Sequence, residues 1–174
     1  MKRTNGLQRL CFSLLAALLL PGCEADKASE SISQPSPLLP GFQSYRSRAE
    51  VLPSLSKTLN AKVLEDSSLP DGDPRPPFSI FTISYQGFAY CGQTGELHLQ
   101  FFNDRLLQTW FFPQDAASCL TVLASLGLQI PNGDGLATGN TILRSGIDYR
   151  GAHYIAWEDQ RLALEQRRWI TRYS

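Results

Sequence analysis

The most regular pattern of apolar and polar positions runs from Gly95 to Pro113. Leu97, Leu99 and Phe101 alternate with Glu96, His98 and Gln100, the period of a strand with one buried face. Asn103-Asp104 then offers a two-residue turn, since both residue types tolerate a left-handed φ. An unbroken register across that turn sets Phe101 against Leu106, Leu99 against Gln108 and Leu97 against Trp110. The spacing predicts a β-hairpin, and the folded part of the chain is expected to be built around it.

Other elements flank this hairpin. Phe78-Ser79-Ile80-Phe81-Thr82-Ile83-Ser84-Tyr85 is rich in β-branched and aromatic residues and predicts the preceding strand, with Gly87, Gly92 and Gly95 interrupting the ribbon. Further upstream, Ser47-Arg48-Ala49-Glu50 fits a capping box, and Val51, Leu52, Leu55 and Leu59 continue a helical stripe that Pro53 limits or kinks. Pro70, Gly72, Pro74, Pro76 and Pro77 make the intervening segment a solvated loop. Its Asp71 and Asp73 lack the spacing and distal Glu of a calcium loop. Downstream, Asp115 is the expected N-cap of a helix that carries Ala116, Leu120, Leu123 and Ala124 and stops at Gly127. The segment Pro131-Asn132-Gly133-Asp134-Gly135 reads as surface loop and lacks the flanks of a phosphate cradle.

The last third echoes the hairpin. Trp157-Glu158-Asp159-Gln160-Arg161-Leu162 lines up without a gap on Phe101-Phe102-Asn103-Asp104-Arg105-Leu106, and Thr141–Arg144 with the turn Asp148–Gly151 supplies a strand before it. If Asp159-Gln160 is a turn, Trp157 faces Leu162 and Ile155 faces Leu164, so the final segment is expected to be a strand ending in the β-prone run Trp169–Tyr173. A helix from Leu162 onward is the competing reading, favoured by Leu164, Glu165 and Arg167. The expected class is α+β: an antiparallel β-meander packed against one or two helices, with the internal alignment pointing to a degenerate duplicated unit.

Composition and charge add a cellular address. Apolar content of 43% and charged content of 18% suit a globular chain. Lys2, Arg3 and Arg9 precede the apolar run Leu10–Leu20, while every acidic residue lies after it, so the remainder is net acidic and does not favour nucleic acid. As a helix, Leu10–Leu20 reaches only about 16 Å, roughly half the hydrocarbon thickness, which marks a signal peptide rather than a span. It ends in Leu20-Pro21-Gly22-Cys23, which resembles the lipobox of bacterial lipoproteins, Pro21 being the less usual residue. That resemblance implies cleavage before Cys23, with diacylglycerol on its sulfur and an acyl chain such as palmitate on its new amino group. Glu24 favours the outer membrane over inner-membrane retention. Ordinary cleavage to a free periplasmic protein is the alternative. The expected organisation is residues 1–22 as leader, 23–40 as lipidated cysteine and Ser/Pro-rich tether, and 41–174 as one domain.

In an exported chain, Cys91 and Cys119 are the two thiols left once Cys11 is removed and Cys23 lipidated, and they are expected to pair in an oxidising compartment. The hairpin puts Thr94 opposite Pro113, which brings Cys91 near the start of the Asp115 helix. Two reduced cysteines, or a redox-active pair, are the other readings.

The layout also resembles the small outer-membrane lipoproteins of the SmpA/OmlA group (the BamE-like domain) and the related fold of β-lactamase-inhibitor proteins. Arg48-Ala49-Glu50-Val51 and Leu97-x-Leu99-x-Phe101-Phe102-Asn103-x-x-Leu106 carry the likeness. The resemblance implies a non-enzymatic, protein-binding role in the envelope.

His98 and His153 are the only histidines and do not by themselves form a metal site; no Gly-x-Ser-x-Gly elbow occurs. Glu158 and Asp159 are adjacent and point apart, and Arg161, Arg167, Arg168 and Arg172 are expected to form a salt-bridged solvated face with the acids near them. Trp110, Phe111 and Phe112 put rings on both faces of one strand, for the core or for a partner, with Trp110 expected to be buried against Leu97. No cofactor, metal or catalytic residue is predicted. Two classes of function remain: a lipid-anchored module that binds another envelope protein, and a small periplasmic hydrolase or ligand carrier. An exposed aromatic patch on the sheet favours the first; a closed polar pocket holding a histidine beside a carboxylate favours the second.

Overall fold

The fold is drawn from a computed structural model that describes residues 34–55, 59–131, 133 and 135–174; the leader, Cys23 and the first part of the tether lie outside them. Within these residues a seven-stranded antiparallel sheet has the order β1-β2-β3-β4-β7-β6-β5. Its strands are β1 (Asn60–Ser68), β2 (Ser79–Tyr90), β3 (Gln93–Phe102), β4 (Arg105–Pro113), β5 (Leu136–Thr138), β6 (Thr141–Ile147) and β7 (His153–Asp159). The helices are α1 (Arg48–Val51), α2 (Ala116–Ser125) and α3 (Gln160–Tyr173). The class is α+β.

Local chemistry accounts for most boundaries. Ser47 and Glu50 form the reciprocal capping box of α1, and a 3-10 turn containing Pro53 ends it. Asp115 caps α2 by accepting from the Ser118 N–H. At the other end Gly127, with φ of 85°, turns the chain so that the Leu128 N–H donates to the Leu123 carbonyl. Asn103 and Asp104 both adopt positive φ, as the hairpin turn requires, and Cys91-Gly92 makes a second such turn between β2 and β3. Gly95 does not interrupt the ribbon but sits inside β3, where any Cβ would collide with the Phe112 carbonyl oxygen.

The hairpin register departs from the simple expectation. Phe101 does face Leu106, but Gln100 pairs with Gln108, leaving Leu107 as an extra residue. Beyond that bulge Leu99 lies opposite Thr109, His98 opposite Trp110 and Leu97 opposite Phe111. Leu106 and Leu107 consequently serve opposite faces of the sheet.

The first face carries the larger apolar cluster, in which Leu97, Leu99, Phe101, Phe111, Ile155 and Trp157 meet Cys119 and Leu123 of α2. Leu38, Leu39 and Phe42 belong to it as well, so Ser36–Leu39, assigned to the tether on sequence, is part of the packed body. On the second face Ile80, Phe102 and Leu107 receive Leu162 and Ala163 of α3.

The final segment is a helix and not the strand expected. Asp159, taken on sequence as a turn residue, is its N-cap and accepts from the Arg161 and Leu162 N–H groups. Asp159 is fully buried, accepts from Ser44 Oγ at 2.7 Å and pairs with Arg161 at 2.7 Å. Arg161 also donates to the Gln34 carbonyl, which fastens the start of the described chain to the start of α3. Near the other end of α3, the Trp169 indole stacks on Phe78 at 4.3 Å between ring centres and donates to the Pro76 carbonyl. No described helix is long and apolar enough to cross a membrane.

Candidate functional site

The second sheet face, away from the patch under α3, is the candidate site. Alternation puts it there: Phe111 faces the main cluster, so Trp110 and Phe112 project from the opposite side of β4. On β7, Tyr154, Ala156 and Glu158 likewise oppose Ile155 and Trp157. The sequence-predicted set Trp110, Phe111 and Phe112 therefore divides. Phe111 is fully buried core, while Trp110 and Phe112 are half-buried and both contact the His98 ring, Phe112 at 4.6 Å between centres. Tyr154 extends the row, 5.8 Å from Phe112, and the Arg150 guanidinium lies 5.8 Å from the same ring.

Beneath and beside these rings is a polar layer. Arg144 donates to Glu158 at 2.7 Å, a pair that is largely buried on the carboxylate side. Gln108 lies between them: with its amide orientation assigned from its partners, its oxygen accepts from Arg144 and from Trp110 Nε1, and its nitrogen donates to Glu158. Trp110 is thus tied into the network by its indole N–H and is half-buried. The buried Thr82 hydroxyl on this face has no partner among the described residues.

Glu96 lies 2.8 Å from His98 Nε2, both side chains projecting from the same side of β3. The contact gains a charge–charge component only when His98 is protonated. Burial outweighs the pull of Glu96 and pushes the His98 imidazole below its ordinary range. Beside them an open cleft of about 620 Å³ is lined by Glu96, Phe112, Gln114 and the exposed His153, among others. Of the two histidines, His98 is the one in contact with that carboxylate; His153 and Glu96 both line the cleft, which is open rather than a closed pocket. Among the described residues no three His, Cys, Asp or Glu side chains gather into a group that would hold a metal.

Cys91 and Cys119 form a disulfide, with Cα atoms 5.2 Å apart, linking the β2–β3 turn to the second turn of α2. Cys23 lies outside the described residues. The C-terminal arginines are less uniformly paired than expected: Arg161 is held by Asp159, but Glu165 pairs with Arg105 and Glu158 chiefly with Arg144. Tyr154, Arg144 and Gln108 were missed on sequence because their role depends on the pairing of β4 with β7. The alternation of Tyr154 with Ile155 was the available signal. Compared with known proteins, the chain matches no protein-family model and no curated protein.

Proposed function

We propose that this chain is a lipid-anchored lipoprotein of the bacterial envelope, held at the periplasmic face of the outer membrane through Cys23. Its domain acts as a non-enzymatic module that binds another envelope protein. The leader and Leu20-Pro21-Gly22-Cys23 support the anchor. The Cys91–Cys119 bond supports an oxidising compartment, where such bonds persist. The likeness to the SmpA/OmlA group supports the binding role. The proposal includes a degenerate duplicated unit, supported by the gapless alignment of Trp157–Leu162 on Phe101–Leu106.

The observation that carries the binding role is the half-buried row Trp110, Phe112 and Tyr154 on a part of the sheet that no described helix covers. Rigid aromatic anchors, with Arg150 and Arg144 beside them, have the composition of an interface centre. A photo-crosslinking residue at Phe112 or Tyr154 should give discrete protein adducts in intact cells, and one at Val122, exposed on α2, should not. Equal labelling from all three positions, or none from any, counts against the reading.

The contact of Glu96 with His98 favours one second reading, a carrier or hydrolase for a small molecule at the adjacent cleft. In that case the crosslinker at Phe112 captures no protein, and native mass spectrometry of freshly purified protein shows a retained small ligand that His98→Ala releases.

A further inference from the structure

We propose that β1 is a self-association edge, and that two copies of this chain join their sheets through antiparallel pairing of Asn60–Ser68 with the same strand of a second copy. β1 lies at the end of the sheet, and no described strand pairs with its outer side. All nine of its residues are exposed, and none belongs to either apolar cluster. Val63 and Leu64, at its centre, are 51% and 44% exposed. Among the described residues the strand pairs with β2 alone, and its other edge lies outside the ladder.

The bulge in β1 specifies the register and the occupant. Lys62 pairs with Ser84 and Glu65 with Thr82, so these two charges share one face although they are three positions apart. Val63 pairs with Ile83 and Asp66 with Phe81 on the other face. A two-fold axis normal to the sheet keeps each face on its own side, and in a register centred on the bulge a residue from before it meets one from after it on the same face. The register that places Val63 against Leu64 of the second copy satisfies this. It also sets Lys62 against the other copy's Glu65, Ala61 against its Asp66 and Asn60 against its Ser67. Shifting the pairing by two residues in either direction separates Lys62 from Glu65. The strand is therefore complementary in charge to a second copy of itself, with its two exposed apolar residues paired at the axis.

The test uses the chain from Glu24 onward, since residues 34–174 supply both apolar clusters and the disulfide. Sedimentation equilibrium should show a monomer–dimer equilibrium. Lys62→Glu and Glu65→Lys each put like charges opposite one another twice, and each should weaken the dimer about tenfold. Mixing the two variants should restore it, because the mixed pair has opposite charges at both contacts. Both positions are exposed, so circular dichroism spectra should match the parent. A parent that stays monomeric at all concentrations, a dimer indifferent to both substitutions, or a mixture that fails to recover would each overturn the proposal.

Discussion

Leu97 lies opposite Phe111, one residue beyond the partner that an unbroken hairpin would give it. The extra residue is Leu107, and its insertion exchanges the roles of Trp110 and Phe111. Phe111, fully buried among Leu97, Phe88 and Tyr90, becomes the core aromatic. Phe111→Ala is expected to cost about 3–5 kcal/mol, the range for removing a large buried ring. Trp110→Ala, at a half-buried position, is expected to cost about 1–2 kcal/mol. Urea unfolding of the two variants beside the parent measures the order; a larger loss for Trp110 would mean that the unbroken register is the true one.

That bulge marks a boundary between what the residues announced and what they did not. The Asn103-Asp104 turn, the Ser47–Glu50 box, the Asp115 cap and the cysteine pair were legible because each depends on neighbours in sequence or on elimination. Leu107 was not, since Leu106-Leu107 keeps an apolar residue on both faces whichever way the register runs. β1 carried no signal at all: a strand exposed on both faces shows no alternation. In α3 the short buried stripe of Leu162 and Ala163 competed with the β-prone Trp169-Ile170-Thr171, and packing of Trp169 on Phe78 decided for helix. The candidate site was half legible, since its rings could be read but their separation onto two faces could not.

The Cys91–Cys119 bond spans 28 residues that include both strands of the central hairpin. Closing a loop of that length constrains the unfolded chain by about 3–4 kcal/mol in the entropic treatment. Cys91→Ser combined with Cys119→Ser is expected to lower the unfolding free energy by that order. Thiol titration of unreduced, denatured protein should find neither cysteine free. Free thiols at both positions would remove the bond from the account of stability.

His98 gives the domain a pH dependence of definite sign. Burial holds its imidazole below the ordinary range, so the unfolded chain binds the proton more readily than the folded one. Stability is therefore greatest above the unfolded pKa of about 6.5 and falls as the pH is lowered through that value toward the folded one. Unfolding midpoints measured from pH 8 down to pH 5 should decline, and His98→Gln should flatten that part of the curve. An unchanged slope in the variant would assign the dependence to other groups.

Asp159 joins the two ends of the described chain, and its loss should be felt at both. Its carboxylate accepts from Ser44 Oγ, from the Arg161 side chain and from the first N–H groups of α3. Asp159→Ala removes a helix cap and leaves the buried Ser44 hydroxyl without this partner. Because Arg161 remains partly hydrated, the expected cost is about 2–4 kcal/mol rather than that of a wholly buried pair. Asp159→Asn keeps an acceptor for Ser44 and for the cap while losing the charge, and should cost roughly half as much. The two variants also differ from the parent in acid. Burial alone would raise the Asp159 pKa, but Arg161 and Ser44 outweigh it and hold the carboxyl below its ordinary value. Its contribution is thus present above the unfolded pKa of about 3.9 and lost as the pH falls through the folded value. The parent should lose stability over that range more steeply than Asp159→Asn. Hydrogen exchange should speed up in Ser36–Ser44 and in the first turn of α3 together; acceleration confined to the helix would mean that Asp159 is a cap and not the link between the two segments.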